Sequence, residues 1–264
     1  MAMDRRTVIG AGLAALFLDA CGGGGGGGTP TGVPTALSPA PGPGASPSPA
    51  PAPAHGPAPA PAPSGSVTTP PAASGSEVSP NIACWGDSLT EFFALNLQQL
   101  VPNRTVFDGS YSGQTSTYIA DQQNADTTMT NWISVFWYGQ NNDHDPATIK
   151  ADIARSVAHL APGNNHFIVL SVVNQAVPDE YKGTPEYATI MQLNADLAAL
   201  YPYNYLDVRS WLIAHYDPNN PQDVIDVSHD VVPSSLRYDE IHLRNPGSVL
   251  VAQRVLQFIE SNGW

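Results

Sequence analysis

The chain is poor in cysteine, in basic residues and in long apolar runs. Only Cys21 and Cys84 are present among 264 residues. From residue 81 onward Cys84 stands alone, so no disulfide framework can staple that region and its stability has to come from a buried core. Cys84 itself sits in an apolar stretch, where a cysteine acts as a small hydrophobe. Lys and Arg total 10 against 23 Asp and Glu, a formal net charge of −13. Within residues 81–264 the balance is 20 acidic to 8 basic residues. A field of that sign excludes attraction to nucleic acid or anionic lipid. The apolar run at the N-terminus, Thr7 to Leu18, has 12 residues. That is well short of the ~20 that a membrane-crossing helix needs.

What precedes and follows that run gives it a meaning. Arg5 and Arg6 stand before it and Leu18-Asp19-Ala20-Cys21 ends it. Charge, apolar segment and small residue in that order are expected of a cleaved export signal over residues 1–20. The ending resembles a bacterial lipobox, although Asp19 is unusual there, and Cys21 would then carry the lipid. The paired arginines resemble a twin-arginine signal. The alternative is cleavage near Ala20 and simple secretion. Residues 21–80 are dominated by Gly, Pro, Ala and Ser, with Gly22 to Gly28 and a Pro-Ala alternation around 50–63. Such a segment has too little apolar surface to offset the entropy of ordering, and it reads as a disordered, inert tether. The expectation is a lipid-anchored protein of the cell envelope, in the periplasm or at the outer membrane, touching the membrane only through that lipid.

Residues 81–264 form a stretch of ordinary single-domain size. Asn81 to Trp85 reads as a short buried strand and Glu91 to Val101 as an amphipathic helix. Between them lies Gly86-Asp87-Ser88-Leu89-Thr90, which puts Ser88 on a strand-to-helix turn, facing helix N–H groups able to stabilise developing negative charge. Ser88-x-x-Glu91 is equally the spacing of a capping box. Arg104 to Phe107 reads as a second strand, leading to a loop with Gly109 and Gly113 where backbone can approach a ligand.

The apolar run Trp132 to Tyr138 has the continuity of a central parallel strand, ending at Gly139-Gln140-Asn141-Asn142. Ligands bind beyond the carboxyl ends of such strands, and Asn141 can present an amide donor there, although Asn is also a common turn former. Helices are expected at 146–160 and 185–200, and strands at 167–173 and 205–208. The alternation implies a three-layer α/β/α sandwich with a mostly parallel sheet. Near the end, Asp239 and His242 lie three apart before an amphipathic helix at 248–261. A carboxylate at that spacing can hold one imidazole nitrogen while the other faces a substrate. Taken singly, the pair also fits a cap and a surface residue.

The ordered set of Ser88, a glycine loop, Asn141 and Asp239-x-x-His242 resembles the SGNH/GDSL hydrolase family over essentially all of 81–264. The resemblance implies a flavodoxin-like sheet and an ester hydrolase with Ser88, His242 and Asp239 as catalytic triad. It also implies an oxyanion hole formed by Ser88, Gly113 and Asn141. It calls for no cofactor and no metal. The family usually has Gly-x-Asn-Asp where this chain has Gly139-Gln140-Asn141-Asn142, so Asn142 competes with Asn141, as Gly109 does with Gly113. A Gly-x-Ser-x-Gly elbow is absent, which argues against the ordinary α/β-hydrolase fold. Asp143-His144-Asp145 and Ser228-His229-Asp230 have ligand-type side chains but occupy polar, turn-like segments. The expected partner is a small ester or an acylated glycan met by a monomer, with no nucleic acid. A lipase or phospholipase of the same fold, and a non-catalytic binding lipoprotein, are the competing readings.

Overall fold

The computed structural model describes residues 77–264. The expected export signal, Cys21 and nearly all of the expected tether lie outside the described residues.

Five strands form one parallel sheet: β1 (Ser79–Gly86), β2 (Val106–Ser110), β3 (Trp132–Trp137), β4 (Phe167–Leu170) and β5 (Tyr205–Leu206), in the order β2-β1-β3-β4-β5. Seven α-helices accompany them among the described residues: α1 (Ser88–Leu100), α2 (Ser116–Ala125), α3 (Pro146–Ala158), α4 (Pro185–Leu200), α5 (Val208–Ile213), α6 (Pro221–Ser228) and α7 (Asn245–Ser261). The strand order reverses direction between β1 and β3. At such a switch point two successive crossovers leave on opposite faces and open a crevice above the strand ends.

Alternation along the buried strands divides the core in two. Ile82 and Cys84 of β1, with Ile133, Val135 and Trp137 of β3, pack under α1 and α7 against Phe93, Leu97, Val251 and Val255. Ala83, Trp85 and Phe136 turn to the other face and meet Ile119 of α2, Ile149 and Ile153 of α3, and Leu193 of α4. Each large apolar side chain so enclosed stabilises the fold by ~1.5–3 kcal/mol. The expected three layers follow from this division. Cys84 is fully buried and desolvation pushes its thiol up, in keeping with a hydrophobe's role.

Helix starts follow local chemistry. Asp145, Thr184 and Asn220 cap α3, α4 and α6 with side-chain oxygens, and proline opens each of these helices, where its missing N–H costs nothing. Three expectations shift. Strand β2 begins at Val106 and runs to Ser110, because Gly109 pairs with Trp85 inside the sheet. A Cβ at 109 would stand 2.7 Å from the Cys84 carbonyl, so this glycine serves close packing and not a loop. Helix α1 starts at Ser88 and not at Glu91, and its N-cap is Asp87. Helices α2, α5 and α6 fill segments for which no helix was expected. No described helix is long and apolar enough to cross a membrane.

Candidate active site

The turn after β1 is tight for a steric reason. A Cβ at position 86 would lie 1.9 Å from Thr90 Oγ1 and 2.3 Å from the Trp137 carbonyl, so only glycine lets the chain pass between β3 and the first turn of α1. Asp87 follows and accepts the Leu89 N–H at 3.1 Å through Oδ1. The capping duty expected of Ser88 therefore belongs to its neighbour. Ser88, the first helical residue, keeps its hydroxyl free.

That hydroxyl lies 2.9 Å from His242 Nε2, and His242 Nδ1 lies 2.7 Å from Asp239 Oδ2. With Nδ1–H donated to the carboxylate, Nε2 is the acceptor for the serine proton. Asp239 also accepts the backbone N–H groups of Ile241 at 2.9 Å and His242 at 2.7 Å. Burial alone would raise its pKa, but these N–H groups together with the His242 ring hold it below the usual carboxylate range. It is a fixed anion beneath the imidazole. Residues 154 positions apart in sequence thus form one hydrogen-bonded line.

The segment bearing Asp239 and His242 is clamped from several sides. Tyr238 N–H donates to the His242 carbonyl at 3.0 Å, and Arg244 N–H to the Leu236 carbonyl at 2.8 Å. Arg237 donates to the carbonyls of Val232 at 2.7 Å and Asp239 at 2.8 Å, and pairs with Asp226 of α6 at 3.0 Å. Ala176 N–H, beyond β4, reaches the Glu240 carbonyl at 2.8 Å.

Opposite this segment, the loop after β2 is stitched to both central strands. Tyr111 N–H donates to the Gly86 carbonyl at 2.8 Å, and Asn141 Nδ2 donates to the Gln114 carbonyl at 2.9 Å. Gly113, between them, is exposed and has a φ of +75°, a left-handed conformation suited to glycine. Asn141 is exposed, and its amide keeps a second N–H beyond the one given to Gln114. Asn142 has a different engagement: Oδ1 accepts the Ser116 N–H and Nδ2 donates to Ser116 Oγ, both at 3.0 Å, while Ser116 Oγ donates to Asp152 at 2.7 Å. Asn142 thus secures the start of α2.

The two other ligand-type clusters have structural partners. Asp143 faces His144 Nδ1 at 2.9 Å and Asp145 caps α3. The His229 ring stacks on Tyr181 at 4.1 Å, and Asp230 takes Arg209 at 2.8 Å and the Tyr187 hydroxyl at 2.5 Å. Among the described residues no group of three His, Cys, Asp or Glu is arranged to hold a metal ion.

Solved structures share this architecture. A member of the lipolytic G-D-S-L family from Veillonella parvula superposes with a TM-score of 0.53 at 15% identity, covering 68% of this chain and 97% of that one. A GDSL-like lipase from Bacteroides thetaiotaomicron gives 0.51 at 20% identity over 69% and 88%. An acetyl xylan esterase gives 0.52 at 12% identity over 67% and 98%. The chain has the GDSL-type hydrolase fold. No family model matches the sequence. The tail spike protein of Salmonella phage epsilon15 is 28% identical over 148 residues, 50% of this chain. The match spans only 13% of that relative's length.

Within this GDSL-type fold the sequence left three residues unnoticed. Asp87 could have been found, since an aspartate is as good an N-cap as a serine. Arg237 and Tyr238 carry no sequence signal of their own and depend on how residues 232–244 double back.

Proposed function

We propose that this domain is a serine ester hydrolase that works through an acyl-enzyme. The observation that carries the reading is the continuous Ser88–His242–Asp239 line at the switch point of the sheet. His242 Nε2 takes the Ser88 proton as Oγ attacks the ester carbonyl, and Asp239 fixes the tautomer and stabilises the imidazolium. The tetrahedral oxyanion is received by the N–H groups of Ser88 and Gly113 and the free N–H of Asn141, each such donor being worth roughly 3 kcal/mol. His242 then returns the proton to the departing alcohol, and water, deprotonated by the same imidazole, releases the acid. Asn141 is preferred over Asn142 because it is exposed, whereas the latter is tied through both Oδ1 and Nδ2 to Ser116 at the start of α2. Gly113 is preferred over Gly109 because the latter is enclosed in the sheet. None of these steps needs a metal or cofactor.

The substrate we favour is a small acyl ester, with O-acetyl groups on a polysaccharide in front; an acetyl xylan esterase among the fold neighbours supports this choice. A monomer comprising residues 81–264, held at the cell envelope by lipid on Cys21 through the tether of residues 21–80, completes the proposal.

The test is intact-mass analysis after fluorophosphonate treatment, together with turnover of acetyl to octanoyl esters. One adduct on Ser88, lost in Ser88→Ala with at least a roughly 10³-fold fall in kcat, is expected. A folded protein that takes no adduct and turns over no ester would leave a binding role in its place.

A further inference from the structure

Tyr238 lies beside the imidazole but has no part in the proton line. Its ring stacks on that of His242, with centroids 5.5 Å apart and planes 11° apart. Contacting rings are spaced by only ~3.5 Å, so the two are offset and the phenol extends past the imidazole edge. The pair is held by backbone: Tyr238 N–H bonds the His242 carbonyl, and Arg237 and Leu243 form an antiparallel bridge on either side. Tyr238 is nevertheless 53% exposed. Desolvation, with Asp239 of its own loop and Glu91 of α1, holds the phenol above its ordinary range and therefore neutral. A neutral, fixed, half-exposed aromatic ring beside the imidazole presents an apolar face to whatever His242 serves.

Resting on the hydrolase reading, we propose that Tyr238 is the alcohol-side wall of the site and selects esters whose alcohol is a ring with a flat C–H face, such as a pyranose. In acyl-enzyme formation the Ser88 Oγ–carbonyl carbon bond forms, the carbonyl carbon–alcohol oxygen bond breaks, and the proton on His242 Nε2 passes to that oxygen. The alcohol oxygen must therefore come within ~3 Å of Nε2. Its carbon skeleton is then brought past the imidazole edge, next to the phenol. The carbonyl oxygen, by contrast, has to face the oxyanion donors, and the acyl chain takes the remaining direction, away from Nε2. Tyr238 thus discriminates among alcohols and not among acids. An aromatic face there contributes contact area that an open-chain alcohol cannot fill.

The experiment measures acetate release from an O-acetylated methyl pyranoside and from ethyl acetate by the protein, by Tyr238→Ala, Tyr238→Leu and Tyr238→Phe, with thermal unfolding as the control on folding. The expected result is a fall of about tenfold in the pyranoside-to-ethyl ratio of kcat/KM in the Ala and Leu variants, expressed mainly in KM for the pyranoside. Tyr238→Phe should keep the ratio within about twofold. A ratio unchanged in Ala and Leu while the parent protein turns over both esters would overturn the alcohol wall and leave the hydrolase standing. A ratio lost equally in Phe would overturn the role of the ring face. Absence of both turnover and a Ser88 adduct in the parent protein would sink the hydrolase reading and this inference with it.

Discussion

The two regions that supply the site are held in opposite ways. Residues 79–100 bring Ser88 on a strand and a helix anchored by an apolar face, with Ile82, Cys84, Phe93 and Leu97 fully buried. Residues 214–244 bring Asp239 and His242 on a strap whose one helix, α6, is turned inside out. It buries Asp223 and Asp226 and exposes Val224 and Ile225, each at 47%. The inversion has a local cause. Asp223 accepts the N–H groups of Asp217 and Ser235 and the hydroxyls of Ser234 and Ser235, and Asp226 accepts the Ser234 N–H and pairs with Arg237. Burial stabilises the platform of Ser88, while directional acceptors order an irregular segment that has few apolar residues to bury. The loop bearing Asp239 and His242 is thus set by polar contacts, where the strand before Ser88 is set by packing.

The largest break in this contrast should come from Phe93→Ala, at about 3–5 kcal/mol, because it empties the space between α1 and Trp137. Urea unfolding should show the loss, with Ser88 labelling retained below the transition. Next, Asp226→Ala should cost roughly 3 kcal/mol, since it strands the guanidinium of Arg237. Here kcat/KM should also fall, by about tenfold or more, since Arg237 holds the Asp239 carbonyl. If Asp226→Ala loses stability but leaves kcat/KM intact, the strap does not position the triad.

A smaller, pH-dependent effect belongs to Asp87. Desolvation pushes its pKa up to about 6 from an ordinary 3.8, against the N–H groups of Leu89 and Gln140 and the charge of His242. Its Oδ2 has no partner. The folded state binds this proton more tightly than the unfolded state, so the associated stability is complete below about pH 4 and is lost as pH rises through about 6. Asp87→Asn keeps the cap oxygen and does not titrate. Its stability relative to the parent protein should therefore rise between pH 4 and 6 and level off above, by up to ~3 kcal/mol in urea unfolding. A difference that stays flat across that range would refute the assignment. The smallest change is expected from Ile225→Ala, within about 0.5 kcal/mol, because α6 turns this side chain to solvent. A loss comparable to that of Phe93→Ala would mean that the outer face of α6 is covered.

The contrast also explains what could be read in advance. β1, β3, α3 and α4 were legible because burial leaves an apolar period, and Ser88, Asn141, Asp239 and His242 because each follows or precedes such an element. α6 was not, since it is only 8 residues long and is ordered by carboxylates whose partners lie elsewhere in the strap. The Ser88-x-x-Glu91 spacing suggested a cap that Asp87 in fact supplies, as two adjacent residues with cap-forming side chains compete and only backbone geometry decides between them.

The sequence by itself determined the alternation of strands and helices, and with it a parallel sheet whose carboxyl ends carry the polar residues. It could not determine that Tyr238 would stack on His242, that Arg237 would bridge Asp226 to Asp239, or that Asn142 would serve α2 while Asn141 faces outward. Those relations depend on how residues 214–244 double back on themselves and on how the segments after β2 and β3 meet. Their physical basis is distance and direction, which hydrogen bonds and ring contacts require and which a linear pattern of polarity does not contain.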